Sequence, residues 1–231
     1  MVVNDIARIM KLRLKSNALR RPPRVLLMGA PGSGKTTLGN IIAKKFGLIY
    51  VDALNLLNGE IANKTDIGKA AEELLRESEM IPDDMMLKLV ESRLNKTDCR
   101  VNGWILEGFP KTEGQMNVLK NLKQAPLLVV VLQIDDDIVY ERHEYKKSDP
   151  VTGKAYNLKT LANPLEEEVL ERLVSKEEDK HETVKKKLRA WKELLPKLEE
   201  EFKERRLLLN ADKSVETLAE SISEAIENPI C

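Results

Sequence analysis

The sequence predicts an α/β protein, in which a doubly wound sheet of five parallel strands lies between helices. The clearest indication is Leu127–Ile134, eight residues of which only Gln133 is polar. So apolar a strand is typical of a parallel sheet that is covered on both faces. A second indication is the apolar run Val25–Met28, because a glycine-rich turn and a helical pattern follow it directly. Such a sheet predicts a ligand site at the carboxyl ends of its strands.

The other elements follow from the hydrophobic periodicity of the chain. Three more strands are predicted, at Leu48–Asp52, within Trp104–Pro110 before a tight turn, and at Leu207–Asn210. Asp83 is a plausible capping residue in front of one of the helices. The predicted helices are Thr37–Phe46, Leu54–Leu57, Ile67–Arg76, Met85–Leu94, Thr112–Leu122 and Val215–Ile226.

A longer helix is predicted before the last strand. Its apolar residues recur at alternating steps of four and three, which places them along one side of a helix. This side could pack on a coiled-coil partner or on the protein's own sheet, and the shortness of the stripe favours the sheet. The stripe consists of Val184, Leu188, Trp191, Leu195, Leu198 and Phe202.

Trp104, in the predicted strand at 104–110, is likewise expected in the core and not as a stacking platform for bases.

The segment at 29–36, GAPGSGKT, has the spacing of a phosphate-binding loop and stands between a predicted strand and a predicted helix. Its glycines allow backbone N–H groups to converge on phosphate oxygens, and the helix N-terminus adds a positive dipole. Lys35 would reach the terminal phosphates, and the Thr36 hydroxyl would bind Mg²⁺. The expected nucleotide-binding residues of the loop are Gly29, Ala30, Pro31, Gly32, Ser33, Gly34, Lys35, Thr36 and Thr37.

The composition argues against several classes of function. The chain has 231 residues with 38 basic and 38 acidic side chains, so it lacks the positive charge expected of a nucleic-acid-binding domain. No apolar run approaches the length of about 18 residues that a membrane-spanning helix needs. Cys99 and Cys231 form no Cys-x-x-Cys pair. Their spacing argues against structural zinc and disulfides and favours a reducing compartment such as the cytoplasm.

Residues 1–23 differ from the rest of the chain, because six basic residues face only Asp5. An amphipathic, basic and acid-poor segment is typical of an organelle-targeting peptide. A helical arm that packs on the domain or on a partner is the alternative, and we favour it. Pro22–Pro23 would end this arm, so that the domain is expected to span 24–231.

The stretch at 141–164 interrupts the alternation of strands and helices. Within it, the sequence SDPVTGKAY at 148–156 predicts a hairpin with a tight turn, and Asn163–Pro164 closes the segment. We therefore expect a small flap inserted into the α/β domain.

The order of these pieces resembles the adenylate kinase family of nucleoside monophosphate kinases. The resemblance is carried by the phosphate loop, by WILEGFPKTEGQ at 104–115 and by DPVTGKAY at 149–156. It extends from about Arg24 to Ile226. The flap and the final ENPI are most similar to the cilia-associated adenylate kinase-like member of this family.

The resemblance implies a P-loop NTPase core with a monophosphate-binding insert near 52–82 and a lid near 144–182. It implies that MgATP donates a phosphoryl group to a nucleoside monophosphate, with AMP favoured, and that two diphosphates form. Such a reaction depends on positioning and charge neutralisation, and the lid would exclude water from it.

The resemblance also implies roles for individual residues. Glu107 stands where the family has an aspartate that orients magnesium-bound water. Arg142 matches an arginine that lies against the ATP adenine, and Lys213 falls near the loop at the adenine edge. The residues expected to contact the acceptor nucleotide are Met80, Ile81, Gly108 and Gln115.

Several positions depart from the family's pattern. Where the family has a threonine and an arginine that hold the monophosphate, this chain has Ala53 and Asn58. Arginine grips phosphate with a rigid fork, whereas lysine offers one mobile charge, so a loss of arginines predicts slower transfer. The candidate catalytic residues are Lys35, Arg142 and four lysines at positions of family arginines, namely Lys111, Lys146, Lys176 and Lys185.

The remaining candidates have simple explanations. His143 and His181 have no partner at a useful spacing, and both are expected at the surface. Asp135–Asp137 follows a buried strand and could be taken for a magnesium site, but a cap of the helix that starts near Ile138 is the favoured explanation.

Two hypotheses about function remain. The first is a nucleoside monophosphate kinase, which the phosphate loop and Lys111 favour. The second is a structural or assembly subunit, for example of a cilium or axoneme, that keeps the fold and binds ATP but turns over little. Ala53 and Asn58 favour the second.

Overall fold

A computed structural model describes residues 21–77, 79, 81–161 and 164–228. The strands are β1 (Arg24–Gly29), β2 (Ile49–Asp52), β3 (Trp104–Glu107), β4 (Leu128–Gln133), β5 (Lys146–Ser148), β6 (Ala155–Asn157) and β7 (Arg206–Asn210). The helices are α1 (Lys35–Phe46), α2 (Ala53–Ala62), α3 (Asp66–Arg76), α4 (Asp83–Leu94), α5 (Thr97–Asn102), α6 (Glu113–Leu119), α7 (Asp136–Glu144), α8 (Glu167–Arg172), α9 (His181–Glu201) and α10 (Val215–Glu227).

The central sheet has five parallel strands in the order β2–β3–β1–β4–β7. The predicted fold class is confirmed, and all five predicted strands are present within a residue or two of their expected bounds. The chain crosses from one side of β1 to the other after β3, so the loop that follows β1 lies at the switch point where ligands bind in sheets of this kind.

Each face of the sheet carries its own hydrophobic layer. Alternate residues of β1 point to opposite faces, as the two-residue period of a strand requires. Leu26 lies in one layer together with Leu198 of α9, and Leu27 lies in the other together with Leu38 of α1. Trp104 is completely buried in the first layer, as expected of a core residue.

The long helix α9 packs on the protein's own sheet. Val184, Leu188 and Leu198 are buried, and Trp191 is partly buried against the same layers. The expectation of a helix that faces the core is therefore confirmed. Within the described residues, no helix is both long and apolar enough to cross a bilayer.

Several local expectations were wrong. Asp83 is not a cap, because α4 begins at Asp83 itself and the preceding residue is Pro82. The helix predicted over 54–57 runs to Ala62, and α5 was not anticipated. The helix predicted over 112–122 ends at Leu119, with Thr112 as its cap.

The inserted flap consists of β5 and β6, which pair antiparallel as the hairpin pattern predicts. The Asp149 carboxylate is fully buried and accepts two hydrogen bonds from the guanidinium of Arg172, at 2.8 and 2.7 Å. This guanidinium holds the pKa of Asp149 well below its usual range. The Asp149–Arg172 pair therefore ties the hairpin to α8.

A helix follows β4 as predicted, but the predicted side-chain cap is not formed. Helix α7 begins at Asp136 directly after Asp135, although Asp135 makes no side-chain capping hydrogen bond. Among the described residues, no group of three or more His, Cys, Asp or Glu side chains is arranged to hold a metal ion. Asp136 instead forms an ion pair with Lys192 of α9 at 2.5 Å.

Candidate active site

The loop at 29–36 joins β1 to α1 and encloses the ammonium group of Lys35. Lys35 Nζ donates hydrogen bonds to the carbonyl oxygens of Gly29 at 3.0 Å and Ala30 at 2.7 Å, and to Ser33 Oγ at 3.3 Å. Gly34 has φ +86°, a conformation that side chains rarely adopt, and α1 begins at the next residue. The loop and the N-terminus of α1 therefore offer backbone N–H groups and the Lys35 ammonium to the same anion.

The pKa of Lys35 is lowered to about 8, chiefly by burial; the carboxylate of Glu107 opposes this change, and the positive charges of Lys111 and Lys187 add to it. Three lysines thus act on one another at close range. An anion that entered between them would relieve this repulsion, which is the electrostatic property that a polyphosphate site needs.

A hydroxyl and a carboxylate stand beside the loop. Thr36 Oγ1 donates to Glu107 Oε1 at 3.0 Å, and the Tyr50 hydroxyl donates to the other oxygen, Glu107 Oε2. Mg²⁺ takes oxygen ligands and is commonly bound through one or two protein groups, several waters and substrate phosphates. Thr36 and Glu107 fit that requirement, so they are the residues that would hold Mg²⁺.

A cavity of about 290 Å³ lies next to the loop. Arg142 of α7 crosses its wall, because the guanidinium donates to the carbonyl oxygen of Gly32 at 3.1 Å and to that of Ala211 at 2.9 Å. Lys213, which follows β7, and Thr160, which follows β6, also line the cavity. The cavity is large enough for a purine base, and Arg142 offers it a flat face.

The acceptor side is built around Gln115 of α6. Its Oε1 accepts from the backbone N–H of Lys111 at 2.7 Å, and its Nε2 donates to Asp83 Oδ1 at 2.7 Å. Gly108, with φ +79°, lies beside Ala53, since a Cβ on this glycine would be 3.7 Å from the nitrogen of Ala53. The structure thus brings these predicted acceptor residues to the carboxyl ends of β2 and β3.

The other predicted acceptor residues are more dispersed. Ile81 packs against the apolar cluster of α2, α3 and α4, and Ala53 is completely buried. Asn58 is exposed on α2. Met80 lies outside the described residues.

The sequence comparisons agree with this geometry. The family model described as "Adenylate kinase" matches residues 27–207. The chain is 32% identical to the chloroplastic adenylate kinase of Zea mays, over 90% of this chain and 94% of the relative. It is 31% identical to the adenylate kinase of Kosmotoga olearia, over 88% and 99%. It is 32% identical to human adenylate kinase 8, over 90% of this chain but only 43% of that protein.

The chain belongs to the adenylate kinase family. The P-loop core is therefore part of a family of nucleotide phosphotransferases. The predicted monophosphate-binding insert covers α2 and α3, and the predicted lid covers β5 and β6. Adenylate kinases use ATP and Mg²⁺, and the groups around Lys35, Thr36 and Glu107 suit both.

In this adenylate kinase-family chain, three lysines lie close to the acidic side chains of the turn at 177–179. Lys146 Nζ lies 2.8 Å from Asp179 Oδ1, and Lys176 Nζ lies 4.0 Å from the Glu178 carboxylate. Lys187 of α9 lies 3.9 Å from the same carboxylate and donates to the Glu178 carbonyl oxygen at 3.3 Å. Two of the predicted lysines and one that was not predicted therefore converge.

Lys187 is the residue that the sequence analysis missed, since Lys185 was assigned in its place. The charge of Lys187 acts on Lys35, Lys111 and His143. Lys185 stands two residues earlier and so points about 200° away around α9. Sequence periodicity does not separate the two lysines, because Lys187 follows the buried Val184 by three residues and Lys185 precedes the buried Leu188 by three.

His143 was expected at the surface, and this is wrong. It is only 7% exposed, and its Nδ1 lies 2.8 Å from the carbonyl oxygen of Val139. A Cβ on Gly32 would lie 2.7 Å from His143 Cε1, so the imidazole supports the phosphate loop directly. Burial lowers the pKa of His143. His181 is exposed, as expected.

Proposed function

We propose that this chain transfers the γ-phosphoryl group of MgATP to AMP, slowly, and forms two molecules of ADP. The donor half of the site supports the proposal most directly. Lys35 is enclosed by the phosphate loop, Thr36 is hydrogen-bonded to Glu107, and Arg142 borders a cavity of purine size. This combination provides for the phosphates, the metal and the base of one nucleotide.

In the proposed reaction, an oxygen of the AMP phosphate attacks the γ-phosphorus of ATP. The bond from that phosphorus to the β,γ-bridging oxygen breaks, and its electron pair passes to the departing ADP. Bound Mg²⁺ would neutralise charge on the β- and γ-phosphates. Lys35 would hold the terminal phosphates, while Lys111 and Lys187 would approach the transferring group from the acceptor side and from α9.

AMP is the proposed acceptor because an amide lies at the acceptor pocket. An amide oxygen has two lone pairs and an amide nitrogen has two hydrogens. Gln115 uses one of each, toward Lys111 and Asp83 respectively. The second lone pair and the second hydrogen could therefore pair with the donor and acceptor edge of adenine, in the bidentate manner that amides favour.

A coupled assay of ADP formation from MgATP plus AMP, CMP, UMP or GMP tests this proposal. We expect turnover with AMP, and none above background for the Lys35→Ala variant. Lys69→Ala, which removes a lysine of the exposed ion pair with Asp66 on α3, is the matched control. If no acceptor gives turnover above the Lys35→Ala level, the enzymatic proposal is wrong.

A second candidate function is a structural subunit that binds ATP but hardly turns over. Ala53 and Asn58 favour it, because neither side chain can neutralise a monophosphate.

We propose a cytoplasmic location for either function, and a cilium as the specific site of the second. Tight MgATP binding without turnover, together with mislocalisation of a tagged protein that lacks residues 1–23, would support the structural role. Dispensability of this segment would count against it.

A further inference from the structure

The Glu107 carboxylate is held from two sides, and one side involves a residue to which no role has yet been given. Thr36 Oγ1 donates to Oε1 at 3.0 Å, and the Tyr50 hydroxyl donates to Oε2. We propose that Tyr50 is a positioning residue that sets the direction of the Glu107 carboxylate toward the magnesium ion of the bound nucleotide. The inference rests on the proposed binding of MgATP and adds a residue to that site.

The register of the sheet explains why these two side chains meet. Glu107 of β3 pairs with Asp52 of β2, and Tyr50 precedes Asp52 by two residues. Residues two apart on a strand point to the same face of the sheet. Tyr50 and Glu107 therefore share the face that α1 covers, which is also the face from which Thr36 approaches.

The aromatic ring of Tyr50 is fixed by its packing against α1. A Cβ on Gly39 would lie 2.5 Å from Tyr50 Cε2, so the absence of a side chain at Gly39 is what makes room for the ring. The ring also packs against the hydrophobic layer that contains Leu27 and Leu38. A ring held in this way has little freedom, and its hydroxyl consequently points to one place.

Glutamate needs such a partner more than aspartate does. Its carboxylate is attached through one more rotatable bond, and a single contact to Thr36 would leave rotation about the last bonds unrestricted. The Tyr50 hydroxyl occupies one of the roughly four lone-pair directions of the carboxylate. The other directions remain available for water molecules of a magnesium ion.

The chemistry of the hydroxyl suits a donor. A phenol carries one O–H donor, and in the structure Tyr50 directs it to Glu107 Oε2. Partners behind a metal ligand typically change metal affinity or activity by about 10- to 100-fold when they are removed.

The test uses Tyr50→Phe, which removes the hydroxyl but keeps the ring against Gly39. The binding of ATP is measured by calorimetry at a series of Mg²⁺ concentrations, and binding of Mn²⁺ in the presence of ATP is measured by electron paramagnetic resonance. We expect Tyr50→Phe to weaken the apparent metal affinity by about tenfold while metal-free ATP binds as in the wild type. Tyr140→Phe removes a hydroxyl from a tyrosine that stacks on His181, and it serves as the matched control.

A second comparison separates positioning from folding. Glu107→Asp shortens the side chain by one methylene and draws the carboxylate away from Tyr50. If the hydroxyl acts through Glu107, then adding Tyr50→Phe to Glu107→Asp has little further effect on metal affinity, so the two substitutions are not additive. Full additivity would show that Tyr50 acts elsewhere and would overturn the proposal.

The metal-binding measurements on Tyr50→Phe and on the wild-type protein distinguish failure of the positioning role from failure of the proposed function. Wild-type metal affinity in a correctly folded Tyr50→Phe variant overturns the positioning role alone. A wild-type protein that binds MgATP but transfers no phosphoryl group leaves the metal measurements valid and overturns only the proposed turnover. A wild-type protein that binds no MgATP overturns both.

Discussion

The donor and acceptor halves of the site are built to hold phosphate by different means. On the donor side, a glycine-rich turn and the start of α1 offer backbone N–H groups to phosphate, and the Lys35 ammonium is already fixed by the carbonyl oxygens of Gly29 and Ala30. On the acceptor side, the charge comes from the side chain of Lys111, and Asn58 contributes none. A site made from backbone survives most side-chain substitutions, whereas a site made from side chains changes with each of them.

The largest effect that this contrast predicts is at Lys35, whose ammonium is the charge that the phosphate loop encloses. We expect Lys35→Ala to reduce kcat by about a thousandfold or more, because it removes a fixed positive charge from the transferring phosphoryl group. Steady-state ADP formation with saturating nucleotides measures it. Activity within tenfold of the wild type would show that the backbone alone is sufficient.

The next effect is at Lys187, which lies between the two halves. Hydrogen bonds to charged groups are worth about 1.5–3 kcal/mol, so Lys187→Met is expected to lower kcat by about 10- to 100-fold. Lys185→Met is the control, because it removes the same charge on the other side of α9, and we expect it to stay within about twofold of the wild type. An equal loss of kcat in the two variants would contradict the placement of Lys187, and not Lys185, in the active site.

A smaller gain is expected when the acceptor half receives an arginine. Asn58→Arg should raise kcat/KM for AMP by about tenfold, since a guanidinium can bind phosphate through two hydrogen bonds. KM for MgATP should not change. Asn55→Arg places the same group elsewhere on α2, and an equal gain in that variant would indicate a general charge effect.

The smallest expected effect is the dependence of ATP affinity on pH. The pKa of Lys35 is lowered to about 8 in the free protein, and a bound polyphosphate raises it again. The ammonium therefore loses its proton from the free protein above pH 8, and ATP affinity should fall by about tenfold between pH 7 and pH 9. Calorimetry across this range measures the fall. The Lys35→Ala variant should bind weakly with no such dependence.

The same group makes a separate prediction about stability. Because its folded-state pKa lies below its unfolded value, the unfolded chain binds more protons between about pH 8 and pH 10.5, and stability gains from this group as pH rises through that interval. Urea unfolding of the wild type and of Lys35→Met at pH 8 and pH 10 compares the two slopes. Identical slopes would exclude a buried charged Lys35.

The features that could be predicted from sequence are those encoded within a few neighbouring residues. The buried strand β4 is one example, and the phosphate loop is another, because its glycines and Lys35 are consecutive. The fold class follows from the order of such segments. The position of the phosphate loop between β1 and α1 was consequently predictable from the sequence.

The features that could not be predicted depend on contacts between distant segments. Tyr50 meets Glu107 across 57 positions of sequence, and no local pattern marks either as the partner of the other. His143 resembles a surface histidine on a charged helix until Gly32 packs against it. Lys187 and Lys185 lie only two positions apart on α9, and what distinguishes Lys187 is its contact with Glu178 of the preceding turn.

The bridge made by Arg142 has a consequence for the order in which the site is completed during synthesis. Its guanidinium joins Gly32, near the start of the domain, to Ala211, which follows the last strand. The part of the cavity wall formed by residues 211–218 is translated after every other part of the site. A ribosome-bound chain that ends before β7 can therefore form the phosphate turn but lacks the base pocket. The nascent protein should acquire its affinity for ATP only when the C-terminal segment leaves the exit tunnel.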